Sequence, residues 1–184
     1  MSNITKKAMA QSLKKMLIVK ELDKITITDI TNDCGINRQT FYYHFKDIYD
    51  LLEWIFANEV VEKIEKETTI KTWKENFKYV LDYMLKNKKF IIKTYNSLSR
   101  KTLLDFLFNQ YNTIFIEIVN DLSKNYNITK ENKIFIANFY KYAFAGIIEN
   151  WIVTGMKESP ENIIKKLDVM ISGNFEEAVR KMSN

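Results

Sequence analysis

The sequence predicts an all-α protein of about nine helices. Only four glycines and one proline occur in 184 residues, so the chain offers few signals for tight turns. Apolar residues instead recur at three- and four-residue spacing along the chain, the pattern of helices with one buried face. A chain of this length accommodates one small helical module followed by a larger helical domain.

The first predicted helix, residues 4–19, leads into two short helices that are separated by a sharp turn. Thr26 is suited to cap the first of these short helices, and Asp29 places a carboxylate near the positive end of its dipole. Gly35 follows where a left-handed backbone turns the chain into the next helix. Asn37 is suited to cap that helix. The spacing therefore predicts a helix-turn-helix.

The second short helix carries side chains that are suited to reading DNA bases. Phe41 is expected to dock inward, leaving Arg38, Gln39, Thr40 and Tyr42 on the outer side. An Arg side chain matches the O6 and N7 acceptors of guanine, Gln matches adenine N6 and N7, and Thr offers a hydroxyl and a methyl group. This side of the helix is expected to face the major groove.

The end of the same helix carries donors for phosphate oxygens. Tyr42, Tyr43, His44 and Lys46 are expected to set the register on DNA without reading bases. Core packing is the competing interpretation of the aromatic run. It is favoured for Phe45, stays open for Tyr43, and is disfavoured for Tyr42 and His44.

Together these features resemble the TetR family of bacterial regulators. The resemblance covers about residues 5–56 and is carried by Thr26, Asp29, Ile30, Gly35, residues 40–45 and Leu51. It implies a DNA-contacting set that consists of Asn37, Arg38, Gln39, Thr40, Tyr42, Tyr43, His44 and Lys46, with Thr26 and Thr28 near a phosphate.

Two positions depart from the family pattern. Thr31 stands where a small Ala is usual at the closest helix crossing, and Ile48 stands where a phosphate-binding Lys is common. The first departure predicts slightly looser packing, and the second removes one expected backbone contact.

Residues 47–56 resemble one subgroup of the family, the regulators related to the activator of the dihydroxyacetone kinase operon. The resemblance implies two alternatives for regulation. The effector is either a free small molecule or a protein partner that resembles a kinase subunit.

The resemblance divides the chain into a helix-turn-helix DNA-binding domain, residues 1–46, and a regulatory and dimerisation domain, residues 47–184. Asp47 is suited to cap a fourth helix that runs to about residue 66. The remaining helices are predicted at about residues 72–86, 88–96, 101–124, 129–155 and 160–182.

The last two helices are the predicted homodimer surface. Small residues permit close helix approach and apolar residues supply area; the predicted set is Phe139, Ala143, Gly146, Ile147, Trp151, Leu167, Met170 and Ile171. The family resemblance implies that these helices pair with their copies in a four-helix bundle. Two recognition helices about 34 to 36 Å apart then require a pseudo-palindromic operator on double-stranded DNA.

Most aromatic residues between Trp73 and Trp151 are expected to be core residues, because helical domains need them for packing. The others are expected to line a ligand pocket, for which inward-looking spacing selects Trp73, Phe77, Tyr111, Phe115, Phe139 and Tyr142.

Charge and composition exclude several other classes of protein. The net charge of +5 is spread evenly, with +2 in the first fifty residues and +3 in the rest, so the placement of Arg38, one of only three arginines, is more informative than the total.

We expect no enzyme activity and no cofactor, because no phosphate loop or paired nucleophile and base occurs. His44, the only histidine, lacks neighbours at metal-ligand spacing, so no metal is expected.

The expected location is the cytoplasm, without membrane association. No apolar run approaches the roughly 18 residues that span a bilayer, and the first twenty residues lack the apolar core of a signal peptide. Cys34 is the only cysteine, so an intrachain disulfide is excluded.

Overall fold

The computed structural model describes residues 2–60, 69–97 and 100–183. Its regular structure is helical, which confirms the predicted fold class. The described residues form α1 (Ser2–Val19), a 3-10 helix (Leu22–Lys24), α2 (Ile27–Cys34), α3 (Arg38–His44), α4 (Ile48–Glu59), α5 (Trp73–Lys86), α6 (Lys88–Tyr95), α7 (Arg100–Leu122), α8 (Lys130–Val153), α9 (Pro160–Ile171) and α10 (Asn174–Lys181). The predicted continuation of α4 over residues 61–66 lies outside the described residues. None of the described helices is both long and apolar enough to cross a membrane.

The chain forms two compact units, and their limits differ from the predicted boundary between residues 46 and 47. The first unit comprises Met1–Lys63 and Asn87–Phe106, and the second comprises Ile64–Lys86 and Leu107–Asn184. Helices α4 and α6 belong to the first unit because both pack against α1. The Glu21 carboxylate accepts a hydrogen bond from Lys93 of α6 and thereby adds an ion pair to this contact.

The first unit is built around an apolar centre to which α1, α2, α3 and α4 all contribute. Leu13, Ile30, Phe41 and Leu51 are fully buried there. Thr31 is buried as well, and its hydroxyl donates to the carbonyl of Thr28 at 3.2 Å. The hydroxyl is thus satisfied within its own helix.

The turn between α2 and α3 forms as its residues predict. Gly35 lies in the left-handed region at φ 66°, and its N–H donates to the carbonyl of Asn32 at 3.2 Å. The N–H of Ile36 donates to the carbonyl of Thr31 at 3.0 Å. These bonds satisfy carbonyl groups that the end of a helix otherwise leaves unpaired.

In the second unit α5 packs against α9. Two exposed ion pairs join these helices: Lys74 Nζ lies 2.7 Å from Asp168 Oδ2, and Lys78 Nζ lies 2.6 Å from Glu161 Oε1. Exposed pairs of this kind contribute about 0 to 1 kcal/mol each, so apolar packing between the two helices contributes more to their stability.

The prediction of a single helix over residues 160–182 is wrong, because this segment divides into α9 and α10. Gly173 adopts φ 77°, and a left-handed residue cannot continue a right-handed helix. The change of direction allows Phe175 and Val179 of α10 to be buried, and the Phe175 ring stacks on Tyr140 at 3.9 Å between ring centroids.

Replacing Gly35 tests the turn. Gly35→Ala is expected to lower the free energy of unfolding by about 1 to 2 kcal/mol, because a Cβ disfavours the left-handed conformation. Gly35→Asn is the matched control and is expected to lose less, since Asn tolerates that conformation better. Urea unfolding followed by circular dichroism measures both changes. Equal losses in the two variants would contradict the account.

Candidate nucleic-acid interface

The candidate recognition helix α3 is held at its first residue by a side-chain cap. Asn37 Oδ1 accepts a hydrogen bond from the backbone N–H of Thr40 at 2.8 Å and another from the Thr40 hydroxyl at 3.0 Å. Both side chains are therefore engaged with each other. Asn37 is exposed, and its Nδ2 group takes no part in the cap.

Three of the four side chains predicted on the outer face of α3 are solvent-exposed, and the fourth, Thr40, is half-buried. Arg38, Gln39 and Tyr42 are exposed, whereas Phe41 and Phe45 are buried. The guanidinium of Arg38 lies one helical turn from the Tyr42 hydroxyl, and Nη2 donates to that hydroxyl at 3.4 Å. This long bond is weak, so both groups are accessible to DNA.

The alternatives for the aromatic run are decided by burial. Tyr43 is 82% exposed and therefore is not a core residue. His44 is half-buried, with its ring edge against Tyr43 at 4.9 Å between centroids. Thus Tyr42 and Tyr43 extend from α3 into solvent, and His44 is half-buried at the last residue of the helix. Phe45, which follows, is buried in the core.

Thr26, one of the two predicted phosphate contacts at the start of α2, also caps that helix. Its Oγ1 accepts from the N–H of Asp29 at 3.1 Å, and its own N–H donates to Asp29 Oδ2 at 2.9 Å. This reciprocal bonding lowers the pKa of Asp29. The Thr26 hydroxyl proton is not needed for the cap and stays free for a phosphate oxygen. Thr28 is exposed in the first turn of the same helix.

Lys46 follows α3 and is fixed through its backbone. Its N–H donates to Asp50 Oδ2 at 2.8 Å, while Asp47 Oδ1 caps α4 by accepting from the N–H of Asp50 at 2.9 Å. The Lys46 side chain is exposed. Two acidic residues are thereby used at a helix N-terminus, where negative charge is favourable, and the exposed lysine side chain is accessible to a phosphate.

A further cation lies beside the same helix. Lys6 Nζ is 5.6 Å from the centroid of the Phe45 ring and 5.9 Å from that of Trp54, within the range of cation–π attraction. From the sequence, Lys6 and Lys7 at the start of the first helix are expected to reach a phosphate. Its position near both aromatic rings depends on tertiary packing, and no sequence signal links it to Trp54.

The predicted ligand residues separate into two groups in the second unit. Trp73, Phe77, Tyr111 and Phe115 line one buried cavity, whereas Phe139 and Tyr142 are 64% and 60% exposed and do not line it. The prediction that the last two face inward is therefore wrong. The cavity has a free volume of about 20 Å³, close to the room for one water molecule, and burial raises the pKa of Tyr111.

The predicted dimer residues also fall into two groups, one at the surface and one buried. An exposed stripe on α8 includes Phe139, Ala143 and Gly146, with half-buried Ile147 at its edge, and Met170 of α9 is 68% exposed. These five residues are at the surface of the second unit.

Three other predicted dimer residues are buried within the second unit. Trp151, Leu167 and Ile171 are 3%, 6% and 4% exposed, so the expectation that they offer surface to a partner is wrong. The Trp151 indole N–H donates to the carbonyl of Glu158 at 2.9 Å. Helical spacing alone does not separate the face of α8 that packs inside the chain from the face that is left exposed.

A capped short helix that exposes Arg, Gln and Tyr after a left-handed glycine defines the first unit as a helix-turn-helix. Residues 71–173 match the family model described as "Transcriptional regulator C-terminal region", of the TetR type. The chain belongs to the TetR family of transcriptional regulators.

Two named relatives are similar to this chain. The HTH-type dhaKLM operon transcriptional activator DhaS of Lactococcus lactis is 28% identical over 156 residues, 84% of this chain and 82% of the relative. A solved structure of the dihydroxyacetone kinase operon activator DhaS has a TM-score of 0.71 at 24% identity, covering 98% and 99% of the two chains. NalD, the secondary repressor of the MexAB-OprM multidrug efflux pump in Pseudomonas aeruginosa, has a TM-score of 0.60 at 12% identity, covering 100% and 98%. The structural matches show the shared fold.

The cap of α3 is tested at Asn37. Asn37→Ala is expected to lower the free energy of unfolding by about 1 kcal/mol, because the N–H of Thr40 loses its acceptor. Asn37→Ser restores an N-cap acceptor and is expected to recover most of the loss. Guanidinium unfolding measures both values. If Ala and Ser are equally stable at this position, the side chain does not cap the helix.

Proposed function

We propose that the protein is a sequence-specific DNA-binding transcriptional regulator that acts as a homodimer on a pseudo-palindromic operator in the cytoplasm. The observation that carries the proposal is the outer face of α3, where Arg38, Gln39 and Tyr42 are exposed around a helix that is anchored by buried Phe41. Exposed donors on a rigid helix are what direct reading of the major groove requires.

Two groups of residues have different roles in DNA binding. Arg38 and Gln39 read base edges, because their planar donor groups match guanine and adenine. The hydroxyl groups of Thr26 and Tyr43 and the ammonium of Lys46 bind phosphate oxygens around them. Lys6, which lies near the Phe45 and Trp54 rings, adds a further phosphate contact.

The homodimer is formed through the exposed stripe of α8. Phe135, Phe139, Tyr142, Ala143 and Gly146 share one helical face, and the small residues permit close approach of a second helix. Val169 and Met170 of α9, 73% and 68% exposed, extend the apolar area. An apolar surface of this kind is suited to a symmetric pairing with its own copy.

Regulation acts through the second unit. An effector that prefers the dimer arrangement unsuited to the operator by about 3 kcal/mol lowers DNA affinity about a hundredfold. A small-molecule effector would contact Trp73, Phe77, Tyr111 and Phe115, and the cavity that these residues line must widen to admit it.

A protein partner that resembles a kinase subunit is the second candidate effector. It is favoured by the 28% identity to an activator of the dhaKLM operon over 84% of the chain. Co-purification from the source cells distinguishes the two candidates. A regulator that responds fully to a small molecule in purified form has no need of the partner.

Selection of bound fragments from random DNA tests the proposed function as a whole. The expected result is a pseudo-palindromic site with half-sites about one helical turn apart. Recovery of no preferred sequence would sink the proposal.

The division between reading and anchoring is tested with two substitutions. Arg38→Ala is expected to cost roughly 1 to 3 kcal/mol of binding free energy and to relax preference at one base pair, because a bidentate contact to guanine is lost. Lys46→Ala is expected to weaken all sequences alike and to reduce the salt dependence by about one unit. Fluorescence anisotropy over a salt series measures both, and a uniform loss in both variants would count against the division.

The homodimer is tested by placing a charge in the α8 stripe. Phe139→Glu is expected to shift the protein from dimer to monomer in analytical ultracentrifugation, because an unpaired carboxylate is costly in an apolar interface. Val19→Glu, at a 78% exposed apolar position on α1, is the control and should leave the dimer intact. A Phe139→Glu protein that is still dimeric would place the interface elsewhere.

A further inference from the structure

The side chain of Thr40 in α3 uses its only hydroxyl proton within the protein. Thr40 Oγ1 donates a hydrogen bond to Asn37 Oδ1 at 3.0 Å, and the same Asn37 oxygen accepts from the backbone N–H of Thr40 at 2.8 Å. A threonine hydroxyl has one proton to donate. That proton is therefore engaged in the cap at the start of α3 and is not available to a base.

The engaged proton restricts the base edges that Thr40 recognises. In the major groove guanine presents the acceptors N7 and O6, and thymine presents the acceptor O4 beside its C5 methyl group. An acceptor needs a donor, which Thr40 does not supply while the cap is intact. Two modes of recognition remain. The hydroxyl oxygen accepts from adenine N6 or cytosine N4, or the threonine methyl group contacts the methyl group of thymine.

The orientation of the side chain favours the methyl group. The bond to Asn37 holds the hydroxyl oxygen toward the cap and thereby selects one rotamer of Thr40. The oxygen and the methyl group are both bonded to the Cβ atom and diverge from it. The methyl group therefore points away from the Asn37 oxygen, and it is the group of Thr40 that is left for a new contact.

The position of Thr40 in α3 is suited to reading a base. In helix-turn-helix proteins the N-terminal residues of the second helix contact base edges. Thr40 is the third residue of α3, directly after the exposed Arg38 and Gln39, and is itself half-buried. Part of its surface is thus accessible beside the two polar readers. Contact between a threonine methyl group and a thymine methyl group is a recognised form of direct readout.

We propose that Thr40 is a specificity-determining residue, which selects thymine at one position of each half-site through its methyl group and not through its hydroxyl. The inference rests on the proposed DNA-binding function. It adds an apolar reader to Arg38 and Gln39, whose donor groups read guanine and adenine.

Uracil substitution in the DNA isolates the contribution of the methyl group, because uracil is thymine without its C5 methyl. Each thymine of a half-site selected from random DNA is replaced in turn, and fluorescence anisotropy measures the affinity of the full-length protein. At one thymine the replacement is expected to lower affinity about fourfold per half-site, the effect of one apolar carbon group removed from water.

Two substitutions in the protein separate the methyl group from the hydroxyl. Thr40→Ser keeps the hydroxyl and removes the methyl group, so it is expected to bind the thymine and uracil sites equally. It should bind the uracil site as tightly as the unaltered protein does, which also shows that the variant is folded. Thr40→Val keeps a methyl group and removes the hydroxyl. This variant is expected to retain the preference of about fourfold for thymine, because the backbone N–H at position 40 is still capped by Asn37.

Thr113→Ser is the matched control, since Thr113 is an exposed threonine on α7, and it should keep the full preference for thymine. Three results would overturn the inference: a preference for thymine that survives Thr40→Ser, its loss in Thr40→Val, or a half-site in which no thymine responds to uracil. Any of these results on a selected site removes only the role of Thr40. Selection of no preferred sequence removes the proposed regulator and the inference with it.

Discussion

The burial of Phe41 is the constraint on which the first unit depends. Helix α3 has only seven residues, and a helix of that length is not stable alone in water. Phe41 is fully buried, and its ring lies 5.9 Å from that of Phe45, which in turn lies 5.9 Å from Trp54 on α4 between ring centroids. This row of aromatic rings fixes the axis of α3. The direction of each remaining side chain of the helix is therefore defined. Loss of a ring at such a site typically costs about 3 to 5 kcal/mol.

The same anchoring determines which polar groups are free for recognition. Asn37, Thr26 and Asp47 each use a side-chain oxygen to cap a helix. The acidic side chains near the interface lie at helix N-termini, where their charge is stabilising, and the cations near them project outward.

The second unit is packed around a cluster of aromatic rings. Phe144 lies within 6.1 Å of four aromatic rings that converge from α5 and α7, and these contacts leave little empty space. The Tyr111 hydroxyl in this cluster is buried and has no hydrogen-bond partner among the described residues.

The local features of this protein were determined by the sequence alone. Thr26, Gly35 and Asn37 place the ends of α2 and α3 because capping and left-handed turns depend on a few neighbouring residues. The polar residues around Phe41 likewise indicate which side of α3 is exposed. Tertiary structure decided what helical periodicity leaves ambiguous. It buries Trp151, Leu167 and Ile171 and exposes Phe139 and Tyr142, joins α6 to the first unit, and breaks the last helix at Gly173. The physical reason is that an apolar helix face packs equally well against its own chain or a second one, and only the positions of the neighbouring helices select between them.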